Sequence, residues 1–407
     1  MEENQSSLIA TSIGHFTNDG LTGVLPLMYP VFVASYGLSL QTISLLAFLQ
    51  SAFSIFVSPL VGRISDARGN FGTMMALGLT LFALGTGGYA VAGQLSQGSV
   101  LLVLLLAFTF MIGVGSSFYH PLGATVLRAK WRAQDLGSAL GINGSAGSLG
   151  RIAMPVAAAV LIAGVSLAST GVLAIVSIAC AAGILVILGR MEFARNGAKG
   201  SESFMRALFP PGQLASKLSG LTIVSFARGL FTGVLPFIPL YLTQLDNYSA
   251  LQAGFLYSAA LGMGIPSTII FGFLQDRIGA KTSMTISNTG GLISLFGFTL
   301  SQNPAIIEAS LLCFGFFSYS AFSLLLGMVH DLTRYEEMTS GGALVWGVGN
   351  TGGSAAAPLL VGLLALPGFF GSLTAGFVAA GLIGVLSVVM MPFIHSSPVT
   401  GRTEASP

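Results

Sequence analysis

Thr22-Gly23-Val24-Leu25-Pro26 recurs 210 positions later as Thr232-Gly233-Val234-Leu235-Pro236. At the same offset Phe16 matches Phe226, and Gly62, Asp66 and Gly69 match Gly272, Asp276 and Gly279. Late in each half an offset of 203 pairs Gly144, Gly150 and Pro155 with Gly347, Gly353 and Pro358. Several matches at an ungapped offset indicate an internal duplication. The chain is therefore expected to fold as two halves, 1–190 and 216–407, joined by a polar linker at 191–215. Parallel halves built from nested three-helix units are one of the main transporter architectures.

Composition sets the medium. Of 407 residues, 53% are hydrophobic and 7% charged, with a mean hydropathy of +0.84. Soluble domains carry about 25% charged residues, so this chain cannot cover a water-facing surface and reads as an integral membrane protein. A formal net charge of +2 excludes a nucleic-acid reader built on a broad basic face. Cys180 and Cys313 both lie in apolar runs, which excludes a disulfide framework, a four-cysteine zinc site and an iron–sulfur centre. Neither a cofactor nor a metal is expected.

A membrane-spanning helix needs about 20 apolar residues, and barrel strands would alternate instead. The apolar runs here are long and continuous. They predict an all-α membrane protein with twelve transmembrane helices over 8–36, 41–65, 72–92, 100–127, 134–164, 168–190, 216–244, 251–274, 282–300, 304–329, 339–365 and 370–394. Apart from Arg151 and Arg228, every Lys and Arg falls at an even-numbered turn, a span end or the C-terminal tail, and the odd-numbered turns hold none. The positive-inside rule then puts both termini and the central linker in the cytoplasm. A multi-pass protein of a cell (inner) membrane is expected, acting as a monomer in the lipid bilayer.

Gly272-Phe273-Leu274-Gln275-Asp276-Arg277-Ile278-Gly279-Ala280-Lys281 resembles the loop signature of the major facilitator superfamily, glycine–x–x–x–aspartate–arginine–x–glycine–x–basic. The first-half copy, Gly62 to Asn70, keeps both glycines and the aspartate but carries Ala67 and Asn70 where the family has basic residues. The resemblance implies a fold of two pseudo-symmetric six-helix bundles. An Asp ending one helix and a basic residue starting the next can tie the pair together by a charge-assisted bond, making Asp66, Arg68, Asp276 and Arg277 gating candidates. His15-Phe16-Thr17-Asn18-Asp19, and Gly113 to Pro121 with Tyr119 and His120, are similar to the first and fourth helices of the fosmidomycin-resistance branch of drug exporters. That resemblance implies proton-driven export of small compounds.

No phosphate-binding loop Gly-x-x-x-x-Gly-Lys-Ser/Thr occurs, and Gly347-Val348-Gly349-Asn350-Thr351-Gly352 lies inside an apolar span with no preceding strand. With no hydrolase motif either, the chain reads as a non-enzyme, a secondary transporter or facilitator.

Charged groups inside a bilayer are costly and default to functional candidates. His15, Asn18, Asp19 and Thr22 are spaced i, i+3, i+4 and i+7 and share one helical face. The repeat sets Arg228 opposite Asn18. Because the family's helices 1, 4, 7 and 10 line a central cavity, His15, Asp19, His120 and Arg228 are expected to form a polar cluster. Asp19 is the expected proton carrier, with His15 and His120 as relays. A fixed structural Asp19–Arg228 ion pair is the alternative. Asn18, Arg228, Phe16, Tyr119, Phe226 and Tyr319 are substrate-binding candidates. Arg151 and Glu308 are expected as a transient outer pair, and Gly144, Gly147 and Pro155 as sliding or gating positions on helix 5. The expected function is proton-coupled antiport that expels a small organic compound (a drug or metabolite) by alternating access. The alternative is uptake of a small, anionic metabolite by proton symport or facilitation.

Overall fold

A computed structural model describes residues 2–193, 212–245, 248–334, 337–369 and 371–394. Most of the expected linker and the end of the tail lie outside the described residues, as do the side chains of Arg63 and Asp66. The described elements are α1 (Glu3–Tyr36), α2 (Leu40–Arg68), α3 (Phe71–Leu95), α4 (Gly98–Ser116), α5 (Tyr119–Lys130), α6 (Ala133–Gly164), α7 (Gly171–Leu188), α8 (Gly212–Thr232), α9 (Ile238–Thr243), α10 (Ala250–Gly262), α11 (Gly264–Ile278), α12 (Ala280–Leu300), α13 (Pro304–Ser318), α14 (Ala321–Leu332), α15 (Met338–Gly342), α16 (Gly352–Leu364), α17 (Leu373–Gly384) and α18 (Leu386–Val389). Each of the twelve stretches read from hydropathy is helical, and no strand occurs among the described residues. Nine of the described helices are long and apolar enough to cross a membrane by length and composition. The other three stretches are 8–36, 282–300 and 339–365, of which the last two are rich in Ser, Thr, Asn and Gly.

Two compact units divide the chain: Met1–Ser201 with Leu235–Gly262, and Glu202–Val234 with Met263–Pro407. The expected boundary was the linker alone. The difference arises at two breaks in helix. The chain leaves helical geometry after Thr232, ahead of Pro236 and Pro239, and again at Met263 between α10 and α11. The hairpin between these breaks packs on the first unit, where Gly254 faces Ala159 and Gly262 faces Ile152.

The first unit is organised by α1. Its 34 residues extend about 50 Å at 1.5 Å per residue, more than the roughly 30 Å hydrocarbon layer. It packs along α6 and also meets α3, α5 and α7. A core of Ala10, Phe71, Met75, Leu79, Phe118, Leu122 and Ile184 closes one end of the unit. In the second unit α8 holds the equivalent position, with Leu218, Leu221, Phe271, Met284, Leu324 and Val345 in its core.

Contacts repeat with the sequence. A Cβ on Gly150 would collide with the Phe16 carbonyl oxygen, and one on Gly353 with the Phe226 carbonyl oxygen. These are the same pair of contacts displaced by the offsets of 203 and 210. Only a missing side chain lets the backbones approach so closely. The signature loops repeat too. Gly69 (φ 67°) and Gly279 (φ 82°) end their helices in conformations that L side chains rarely adopt. Their amides donate to Ser65 O at 2.7 Å and Gln275 O at 2.9 Å, again one offset apart.

The loop charges behave differently from expectation. Asp276 and Arg277 are exposed and form no ion pair among the described residues, so they do not tie α11 to α12. Lys281 makes that end fast instead, donating from Nζ to Ile394 O at 2.7 Å. Arg68 is exposed in the last turn of α2, where a cation complements the helix dipole. The glycine-rich Ala343–Thr351 stretch is a π-helix, in which Thr351 Oγ1 donates to Trp346 O at 3.1 Å. Substituting Gly150 or Gly353 by Ala is expected to destabilise the protein equally, by about 1–3 kcal/mol each as overpacking does. Unfolding of the two single variants in mixed micelles checks this.

Candidate functional site: a buried carboxylate in the first bundle

The site starts from α1. His15 and Asp19 are one turn apart, so both side chains leave the same face, and Asp19 keeps only 5% of its side chain exposed. A carboxylate so buried needs compensation, and it draws it from three helices. Arg151 on α6 donates from Nη1 to Asp19 Oδ2 at 2.6 Å. His15 Nε2 lies 3.3 Å from the same oxygen. On the other oxygen, Asn18 Nδ2 donates to Oδ1 at 3.2 Å, and His120 Nε2 of α5 lies 3.5 Å away. The side chain of His120 is 62% exposed; it is the open side of an otherwise enclosed cluster.

Glycines on α6 make the convergence possible. Gly147 and Gly150 face α1 directly, at the His15 ring and the Phe16 carbonyl. Arg151 therefore starts from a backbone pressed against α1, and its Nη2 also donates to Ser148 Oγ at 3.0 Å. Asn143, two turns earlier on the same face of α6, meets His15 Nδ1 through Oδ1 at 2.9 Å. Asn143 Nδ2 in turn donates to Tyr119 Oη at 2.9 Å, and the Tyr119 hydroxyl donates to Thr11 O at 2.8 Å. The rings of His15 and Tyr119 stack with centroids 4.9 Å apart, and His120 meets His15 edge-on at 5.5 Å.

Several expected residues are therefore brought together: His15, Asn18, Asp19, His120 and Tyr119. Others are not. Arg228 makes its described side-chain bonds within the second unit. It is fully buried in the second unit, where Nη1 donates to Asn288 Oδ1 and to Ser287 Oγ at 3.1 Å. Its Nη2 donates to the carbonyls of Phe317 at 2.7 Å and Ser318 at 3.2 Å. Those carbonyls end α13 just before the Tyr319–Ser320 break, where freed acceptors and the negative end of the helix dipole attract a guanidinium. The two terminal nitrogens of Arg228 are thus held by neutral acceptors within its own unit, while its buried Nε has no partner among the described residues. Arg151 is held on Asp19, and Glu308 is exposed on α13.

Of the expected aromatic contacts, Tyr119 is buried with its hydroxyl committed, Phe16 and Tyr319 are half-buried and Phe226 is exposed. Pro155 packs against Gly23 of α1, while nothing lies within 4 Å of a Cβ built on Gly144. Sequence reasoning missed Asn143, although Asn143, Gly147, Gly150 and Arg151 follow the i, i+4, i+7, i+8 pattern of a single helical face.

The ligand atoms of His15, Asp19 and His120 lie within 4.8 Å of one another, a nitrogen–oxygen donor set that suits a transition metal. Arg151 already occupies an oxygen of Asp19 and supplies the positive charge that a metal would bring. The cluster is centred on the Arg151–Asp19 pair.

The fold is that of a multi-pass membrane protein. The chain belongs to the Major Facilitator Superfamily, whose description matches residues 11–357. It is 33% identical over 119 residues to the uncharacterized MFS-type transporter YfnC of Bacillus subtilis (strain 168), a stretch covering 29% of this chain and 27% of that protein. It is 28% identical over 113 residues to the uncharacterized MFS-type transporter YqjV of the same organism, covering 27% of this chain and 28% of that one. These matches span under a third of either relative. Among solved structures, the nucleoside transporter NupG superposes with a TM-score of 0.71 at 14% identity, over 96% of this chain and all (100%) of that one. A D-xylose-proton symporter gives 0.70 at 14% identity, over 96% of each chain. At such identity the likeness is one of fold.

Gly147→Ala is expected to push the His15 ring off Asp19 and to cost about 1–3 kcal/mol. Gly144→Ala is expected to be neutral or to stabilise by up to about 1 kcal/mol through helix propensity. Paired unfolding measurements on the two variants separate a packing position from an open one.

Proposed function

We propose that this protein is a proton-coupled antiporter that moves a small organic compound out of the cytoplasm by alternating access. The observation carrying this reading is the Asp19 carboxylate, nearly sealed from solvent yet shared by Arg151 and His15 with exposed His120 beside it. A single strong pair would suffice for architecture. A carboxylate with competing cationic partners and an open imidazole at its edge can instead exchange them as protons arrive and leave.

In this mechanism a proton reaches the cluster through His120 and is taken up at Asp19 and His15. Uptake neutralises the carboxylate and loosens Arg151, and the freed guanidinium changes the packing of α6 on α1. The proton thereby biases the equilibrium between the two access states, since a ligand shifts a conformational equilibrium only by its differential affinity for the states. Gly147, Gly150 and Pro155 are the positions over which α6 would move against α1, and Phe16, Phe226 and Tyr319 remain the aromatic candidates for substrate contact. The resemblance of the His15–Asp19 and Gly113–Pro121 stretches to drug exporters supports the outward direction. The uptake alternative leaned on Arg228 and two histidines as an anion receptor, and the terminal nitrogens of Arg228 are bonded to neutral acceptors. The one-sided distribution of Lys and Arg supports a cytoplasmic membrane with both termini inside.

Proteoliposomes with an internal pH-sensitive dye test this, using a panel of amphipathic and anionic compounds. Substrate-dependent proton flux opposite to substrate movement is expected in the wild type and is expected to vanish in Asp19→Asn. Full pH-dependent transport by Asp19→Asn would remove Asp19 as the carrier, and substrate movement without proton flux in both proteins would make the chain a facilitator.

A further inference from the structure

The hydrogen bonds around Asn143 determine which nitrogen of His15 can exchange a proton. The Thr11 carbonyl can only accept and is the nearer acceptor, so the single hydroxyl proton of Tyr119 is placed on it at 2.8 Å rather than on Asn143 Oδ1 at 3.2 Å. With that proton used, Tyr119 Oη accepts from Asn143 Nδ2 at 2.9 Å, and this fixes the amide's orientation, which a network rather than density decides. Asn143 Oδ1 then faces His15 Nδ1 at 2.9 Å. An amide oxygen is an acceptor only, so Nδ1 must carry the hydrogen. The opposite nitrogen, Nε2, looks at Asp19 Oδ2 from 3.3 Å.

We propose that Asn143 is a positioning residue that holds His15 in its Nδ1–H form, so that Nε2 is the one atom through which His15 exchanges the coupling proton with Asp19. This rests on the proton-coupled reading above and deepens it. The titratable and charged groups facing His15 are Asp19 on its own helix, Tyr119 and His120 from α5, and Arg151 from α6.

When Nε2 is bare, its lone pair confronts a carboxylate, and Arg151, Asn18 and His120 are left beside Asp19. When Nε2 is protonated, its N–H points at the same Oδ2 that Arg151 holds at 2.6 Å, so imidazolium and guanidinium compete for one oxygen. The transfer balances simply: the Nε2–H bond breaks, an Oδ2–H bond forms, and imidazolium and carboxylate become neutral imidazole and carboxylic acid. Arg151 then faces an uncharged partner. Free imidazole favours the other tautomer, Nε2–H, which would leave a bound hydrogen facing Asp19 whenever the ring is neutral. By selecting Nδ1–H, Asn143 makes neutral His15 an acceptor on its Asp19 side and therefore able to take a proton there.

Nitrogen-15 NMR of histidine-labelled full-length protein in micelles tests the assignment directly, with His15 identified by difference from His15→Gln and the sample raised in pH until the ring is neutral. Nδ1–H is expected in the wild type and in Asn143→Asp, which keeps an acceptor for Nδ1. Asn143→Leu is expected to shift the tautomer ratio towards Nε2–H by about two- to tenfold, the worth of one hydrogen bond of ordinary strength. The same variant is expected to lose coupled proton flux by about tenfold or more while substrate exchange without net proton movement stays near wild type.

An Nε2–H ring in the wild type overturns the proposal. So does a ratio unchanged by Asn143→Leu, a ring that never becomes neutral, or undiminished coupling in that variant. Since the wild-type spectrum alone reads the tautomer, the assignment can fail even if Asn143→Leu does not fold. A wild type that shows Nδ1–H but moves no protons overturns the proton-coupled reading of the preceding subsection and leaves the tautomer assignment standing.

Discussion

A carboxylate placed among apolar helices cannot stay charged by itself; desolvation would cost several kcal/mol. In this protein Asp19 is that group, and the first bundle is arranged to keep it satisfied. Arg151 supplies the opposite charge at 2.6 Å, Asn18 a neutral donor at 3.2 Å, and His15 a partner whose donor capacity depends on a proton. Removing one partner of such a buried group is far more damaging than replacing the whole set by apolar residues. The proposed coupling role rests on this cost.

Close helix approach is the condition for this chemistry. The face of α6 that meets α1 is glycine at its two tightest points, Gly147 and Gly150, and without them neither Asn143 nor Arg151 would reach its partner. The second unit uses the same packing at Gly353 and Phe226 but fills its polar centre differently. There Arg228 is bound by an amide, hydroxyls and backbone carbonyls at the interruption between α13 and α14. One half thus holds a charged cluster with an exposed imidazole, and the other a guanidinium locked by neutral acceptors. Duplication kept the backbone contacts and let the polar side chains diverge.

The helices and the duplication were legible in sequence, because hydropathy over about 20 residues reports burial in a bilayer and because glycine contacts recur at fixed offsets. His15, Asn18, Asp19 and Thr22 were also legible as one face, since a single helix fixes their relative directions. What could not be read was which partner from another helix would reach that face. Alignment of the halves set Arg228 beside Asn18 in register, but register says nothing about which way a side chain exits its helix. Arg228 turns into its own bundle. Arg151 was assigned to an outer gate because its distance along α6 was judged without the tight α1–α6 crossing. Asn143 was overlooked as an ordinary polar residue, although its spacing to Gly147 and Arg151 already put it on the crossing face.

The most direct test of the Asp19–Arg151 interaction is a double-mutant cycle on unfolding free energy in mixed micelles, with Asp19→Asn, Arg151→Gln and the double variant. If the two groups compensate each other as the geometry indicates, each single change leaves a buried charge unpaired. The double variant should then be at least about 1 kcal/mol more stable than additivity allows. Additive effects, agreeing within about 0.3–0.5 kcal/mol, would contradict a coupled pair at the centre of the site.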